Sequence, residues 1–173
     1  AAFGKFVEAF FATVTPEAVI GQASNELFSM AANMWNWAEK RGAKKALVRV
    51  FNPDEAKDGW ASSHTIVQIV TDDMPFIVDS VTAGLAVTRR QGISAVYHPV
   101  VLVERDKKGS RQKIIGNVGV ANEGSDNSIR ESYMHLELDT KLIGSDLKEL
   151  EKDILAILDD VRLSVEDWRS MMG

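Results

Sequence analysis

The sequence predicts an α+β fold: an antiparallel sheet in ferredoxin-like order, β-α-β-β-α, with an extra strand before it, helices on one face, and helices ahead of the first strand. Three observations carry this. The apolar period falls from about 3.6 to about 2 residues at Lys44. Strand-like and helix-like stretches then alternate in that order from His64 to Trp168. The closing amphipathic stretch is a helix longer than a small sheet needs.

Residues 1–42 read as a helical extension and 43–173 as the sheet-bearing domain. Thr15 can cap a helix and Pro16 can sit in its first turn, where a missing N–H is harmless. Val19, Ala23, Leu27, Met30, Met34 and Trp37 then recur at helical spacing until Gly42. Lys40 and Arg41 suit the negative end of its dipole. Ala46 to Phe51 alternates as a strand, closed by Asn52-Pro53-Asp54. His64 to Thr71 is apolar on both sides, which places it centrally. Asp72-Asp73-Met74-Pro75 starts a helix with an inner stripe of Ile77, Val78, Val81 and Leu85, ending at Gly92, and the two aspartates are expected to cap it.

A third strand is expected from Ile93 to Glu104, with Pro99 forcing an edge or a bulge. Asp106 to Gly109 turns the chain into a short strand, Arg111 to Ile115, and Gly116 to Asn127 has the composition of a flexible loop. Tyr133, His135 and Glu137 alternate with Met134, Leu136 and Leu138, giving one polar and one dry face. Ser145 caps the last helix, striped by Leu147, Leu150, Ile154, Ile157, Val161, Val165 and Trp168. The expected sheet has four strands, with the Ala46–Phe51 strand beside His64–Thr71. Its second face is open, or covered by the N-terminal helices or a partner.

Composition narrows the function. The 173 residues hold 20 basic and 25 acidic side chains, for a net charge of −5, and 45% are apolar. A chain of this length hides roughly 70% of its unfolded surface, so it can fold without staples. Without cysteine there is no disulfide, thiolate nucleophile or iron–sulfur site, which suits a cytoplasmic setting. The apolar runs fall short of the roughly 20 residues that cross a bilayer, so no membrane role is expected. The acidic balance argues against nucleic acid. A first residue of Ala rather than Met suggests a piece of a longer chain.

Catalytic motifs are sparse. His64, His98 and His135 lack metal-ligand spacing, and no nucleophile elbow surrounds Ser80. Gly116-Asn117-Val118-Gly119 lacks the Lys-Ser/Thr of a phosphate loop, and no dinucleotide fingerprint occurs. The remaining candidate is Asp72 to Asp79, a strand-to-helix junction whose free N–H groups suit a carboxylate such as that of an amino acid.

The segments Val48-Arg49-Val50-Phe51-Asn52-Pro53, Asp58-Gly59-Trp60, Asp72 to Ser80, His98-Pro99-Val100, Glu131 to His135 and Val165 to Trp168 occur in an order that resembles the N-terminal region of large bacterial NAD-specific glutamate dehydrogenases. The resemblance spans about Ala31 to Met171. It implies an ACT-like domain, itself ferredoxin-like, over 43–173. For the parent enzyme it implies oxidative deamination of L-glutamate with NAD as cofactor, on catalytic residues outside this chain, which would hold no cofactor and no metal itself. Amino-acid-binding ACT domains carry Asp-x-Pro-Gly at the first junction; Asp73-Met74-Pro75 matches, but Phe76 replaces the glycine and would obstruct or fill the pocket. An architectural segment contacting other domains of the parent, itself a homo-oligomer, is therefore expected. The alternatives are an amino-acid effector site at Asp72, Asp73, Met74, Pro75, Phe76 and Asp79, or a free-standing interaction domain. The long last helix and Trp35 and Trp37 are candidate docking surfaces.

Overall fold

A computed structural model describes residues 2–12, 14–88, 91–117 and 127–173. In chain order its elements are α1 (Ala2–Ala12), α2 (Pro16–Val19), α3 (Ser24–Trp37), β1 (Leu47–Phe51), α4 (Glu55–Asp58), β2 (Ile66–Asp72), α5 (Ile77–Thr88), β3 (Ile93–Tyr97), β4 (Val100–Arg105), β5 (Arg111–Asn117), β6 (Ser128–Leu138) and α6 (Asp146–Met172). The α+β, antiparallel, ferredoxin-like organisation is the one the sequence predicts. β1 lies antiparallel to β2, Leu47 opposite Val70 and Phe51 opposite Ile66, so the extra strand stands beside β2 as the sequence predicts.

The sheet is larger than expected, with six strands rather than four in the order β1-β2-β6-β4-β5, and β3 also on β6. The predicted strand from Ile93 to Glu104 is two strands. β3 pairs with the end of β6, Tyr97 opposite His135, and β4 with its beginning, Val100 opposite Ser132. His98-Pro99 interrupts them, yet the Pro99 carbonyl still accepts from Tyr133 N at 2.9 Å. A proline has no N–H to give a ladder, so the chain breaks there and resumes. The short strand after the Asp106 turn pairs with β4 and extends the sheet. The expected Gly116–Asn127 loop falls for the most part on 118–126, outside the described residues.

Both sheet faces are dry. On one, Val67, Ile69, Met134, Leu136 and Leu138 pack against Ile77, Val81 and Leu85 of α5 and Leu150, Ile154 and Leu158 of α6. Gly84 leaves room for Ile157 of α6 against α5, since a Cβ there would stand 2.4 Å from Ile157 Cδ1. On the other face, Ile66, Val70, Tyr97, Val101, Val103 and Tyr133 meet Phe6 and Phe10 of α1 and Met30 and Met34 of α3. Each such apolar side chain contributes about 1.5–3 kcal/mol when withdrawn from water.

The N-terminal helices are therefore the second cover of the sheet. Two expectations change as a result. The single helix from Pro16 to Gly42 is instead α2, a turn, and α3, which ends at Trp37. The polar face of Tyr133 and His135 is not wet: both are fully buried beneath α1 and α3. Trp35 and Trp37 pack against this same core, which accounts for them without a partner.

Candidate functional site

The Asp72–Asp79 junction stands where β2 leaves the sheet and α5 begins. Asp72 and Asp73 do not cap α5 as the sequence suggested, because both are drawn to arginines. Asp72 Oδ1 lies 2.6 Å from Arg41 Nη2. Asp73 receives its place from Arg130, whose carbonyl accepts Asp73 N at 2.9 Å and whose Nε stands 3.7 Å from Asp73 Oδ2. The residue before α5 is Phe76, whose carbonyl accepts Ser80 N at 2.9 Å. Its φ of 64° is the left-handed conformation that glycine adopts freely and a phenylalanine adopts under strain.

Phe76 is 76% exposed and borders two of the hollows at the junction. Three hollows surround the junction. One of about 250 Å³ brings Asp72, Asp73 and Met74 together with Lys44, Arg162 and Arg169. A second, about 310 Å³, lies between Pro75 and Phe76 and the Ile157–Val165 stretch of α6. A third, about 130 Å³, joins Met74, Phe76 and Asp79 to His98. The six candidate residues are divided among these hollows, and α6, absent from the sequence reading of this site, walls the first two.

Behind the junction is an ionic cluster that sequence reasoning missed. Glu131 is fully buried on β6. Arg41 Nε and Nη2 donate to its Oε1 at 3.1 and 2.9 Å, and Arg105 Nε donates to the same oxygen at 2.6 Å. Its Oε2 accepts from Arg105 Nη2 at 3.1 Å and from the Tyr133 hydroxyl at 2.9 Å. Burial alone would raise the Glu131 carboxyl, but Arg105 and Arg41 outweigh it and hold the pKa below the ordinary value. Burial and the adjacent Glu131 charge push the Tyr133 phenol up. Arg41 also donates to the Lys45 carbonyl at 2.8 Å, and Arg105 to the Ala38 and Glu39 carbonyls at 2.9 Å each. The cluster thereby ties the α3–β1 connection to the sheet beside Asp72. The sequence signal was a carboxylate sharing its strand face with Tyr133 and His135.

A second polar chain crosses the same face. Arg49, held between the rings of Trp37 and Phe51 at 4.6 and 4.5 Å, donates from Nε to Gln68 Oε1 at 2.8 Å. Burial lowers its pKa to about 10. That bond fixes the Gln68 amide so that its nitrogen donates to His135 Nδ1 at 2.9 Å. His135 then carries its proton on Nε2, 3.8 Å from Glu137 Oε1, and burial keeps the ring neutral by lowering its pKa. His98 is lowered for the same reason and bonds Ser132 Oγ at 2.7 Å, while His64 Nδ1 donates to the Leu138 carbonyl at 2.5 Å. Among the described residues no group of three or more His, Cys, Asp or Glu could hold a metal ion, and no helix is long and apolar enough to cross a membrane.

Comparison with known proteins places this geometry in a family. Residues 6–154 match the family model described as glutamate dehydrogenase, ACT1 domain. Over 166 residues, 96% of this chain, it is 34% identical to an NAD-specific glutamate dehydrogenase of Pseudomonas aeruginosa and 30% identical to one of Halomonas elongata. It spans 10% of the length of each of these relatives. No solved structure matches the chain.

Proposed function

The chain belongs to the ACT1 domain family of glutamate dehydrogenase, and from that premise we propose that it is a non-catalytic, architectural segment of a large NAD-specific enzyme. The parent would oxidise L-glutamate with water to 2-oxoglutarate and ammonia, hydride passing to NAD, at groups elsewhere in the polypeptide. This segment would position other regions of that chain and neighbouring copies, in the cytoplasm.

One observation carries the reading. At the junction where an ACT domain would receive an amino acid, Asp72 is occupied by Arg41 and Asp73 by Arg130. The turn position suited to glycine holds an exposed phenylalanine. A ligand ammonium at Asp72 would have to compete with the buried Arg41 for its carboxylate.

The effector-sensing reading has one observation in its favour: the hollow of about 250 Å³ that sets Lys44 and Arg169 opposite Asp72 and Asp73. Titration of the 173-residue chain with L-glutamate, L-aspartate and L-arginine at millimolar concentration, followed by tryptophan emission and melting temperature, separates the two. The architectural reading expects no change. A rise in melting temperature that Asp73→Ala abolishes would replace it with effector sensing.

A further inference from the structure

The groove between the start of α5 and the second half of α6 has the chemistry of a helix-binding surface. Phe76 is kept in a strained left-handed conformation and is also 76% exposed, so the fold gains from its ring neither backbone comfort nor burial. Beside it lies the groove of about 310 Å³, walled by Pro75, Ile157, Val161 and Val165. At helical spacing the apolar stripe continues from Val161 and Val165 to Trp168 and Met172, which are 54% and 72% exposed. From Ile157 to Met172 this face runs about 24 Å at 1.5 Å per residue, the length of about four helical turns.

The charge beside the stripe has one sign along its α5 side. Asp160 lines the groove, Asp167 follows two turns later on the same side of α6, and no lysine or arginine is among the groove's lining residues. A second copy docked with its α6 antiparallel about a twofold axis would bring these aspartates together, like charge against like. An apolar helix edged with cations meets both requirements.

We propose that this groove receives an amphipathic α-helix with lysine or arginine along one flank, its apolar residues seated between Phe76 and Val161 and its cations against Asp160 and Asp167. The proposal deepens, and rests on, the architectural reading, since it names the face through which the segment would hold another region of its parent.

The probe is a dye-labelled leucine–lysine peptide of about four helical turns without tryptophan, added to the 173-residue chain, with peptide anisotropy and Trp168 emission as readouts. Saturable one-to-one binding is expected, with a blue shift of Trp168. Phe76→Gly and the pair Asp160→Lys with Asp167→Lys should each weaken it by about tenfold or more. Val87→Ser, at an exposed position on α5 away from the groove, should leave it unchanged. Circular dichroism melts establish that each variant is folded, and Phe76→Gly should melt no lower than the parent sequence. Equal binding by all the variants, no binding, or equally tight binding of the glutamate counterpart of the peptide would overturn the proposal. So would a dimer in sedimentation that Phe76→Gly dissolves, because the groove would then belong to a second copy. The amino-acid titration reads a different hollow, so failure of the peptide leaves that test standing.

Discussion

Arg41 and Glu131 lie 90 residues apart in the chain and meet through two hydrogen bonds inside the protein, at 3.1 and 2.9 Å, with 1% and 0% of their side chains exposed. Arg105 completes the arrangement from β4. Two buried guanidinium groups around one carboxylate are tolerable only while the negative charge is present, with Asp72 balancing the second.

Glu131→Ala should therefore destabilise the fold by about 3–5 kcal/mol, the penalty for leaving buried charge unpaired. Urea unfolding followed by tryptophan emission measures it. A loss below about 1 kcal/mol would mean that water reaches the arginines and that the cluster is not a closed one.

Acid should weaken the fold in two stages. His135 and His98 have pKa values lowered by burial, so the unfolded chain binds their protons first as pH falls through about 6.5. Stability is then present above that pH and declines below it, by up to about 1.4 kcal/mol per pH unit for each proton taken up only on unfolding. Glu131, lowered by its arginines, adds a loss that begins near the ordinary carboxylate range and is complete below its folded pKa. Melting temperature from pH 8 to pH 4 tests the sign; a His135→Gln variant with an unaltered slope near pH 6 would remove His135 from the account.

Phe76→Gly should stabilise the chain by up to about 1 kcal/mol, because the strain of a left-handed L-residue, about 1–2 kcal/mol, exceeds the extra chain entropy of glycine. A lower melting temperature would show that the ring makes packing contacts worth more than its backbone strain.

Gly109→Ala should do the reverse. With φ at 85°, an added Cβ would stand 2.3 Å from the Arg41 carbonyl oxygen, a backbone atom that can yield only by parting the β4–β5 turn from Arg41. A loss of about 2 kcal/mol is expected, with faster hydrogen exchange at Arg41 N, which donates to the Gly109 carbonyl at 3.0 Å.

What was legible in the sequence followed local periods. The run Ile66–Val70, apolar on both faces around Gln68, gave β2 its central place, because a strand covered on both sides has no regular polar alternation to show. Pro99 marked the interruption, though not that β3 and β4 would share β6 as partner. The pattern failed where residue type and environment part company. Tyr133 and His135 are polar by name and read as part of a polar face, but α1 supplies Phe6 and Phe10 to cover them. The spacing Val19-Ala23-Leu27 runs across the turn at Ile20-Gly21-Gln22, so one helix was inferred where the chain folds back. At the candidate site, Asp72 and Asp73 looked like caps because a sequence shows the neighbouring helix and hides arginines that arrive from 41 and 130. The conformation of Phe76 has no signal in composition or period at all.

Because α5 and α6 roof the strands on one side and α1 and α3 on the other, neither broad surface of the layer can be laid against a similar one. Assembly is left with rims and roofs. The rim at β5 is already bordered at its first residues by Glu39 to Arg41, which leaves the five-residue margin of β1, paired only with β2 among the described residues. A second copy paired there about a twofold axis would use up both margins at once, so growth of the layer through β1 would end at two units.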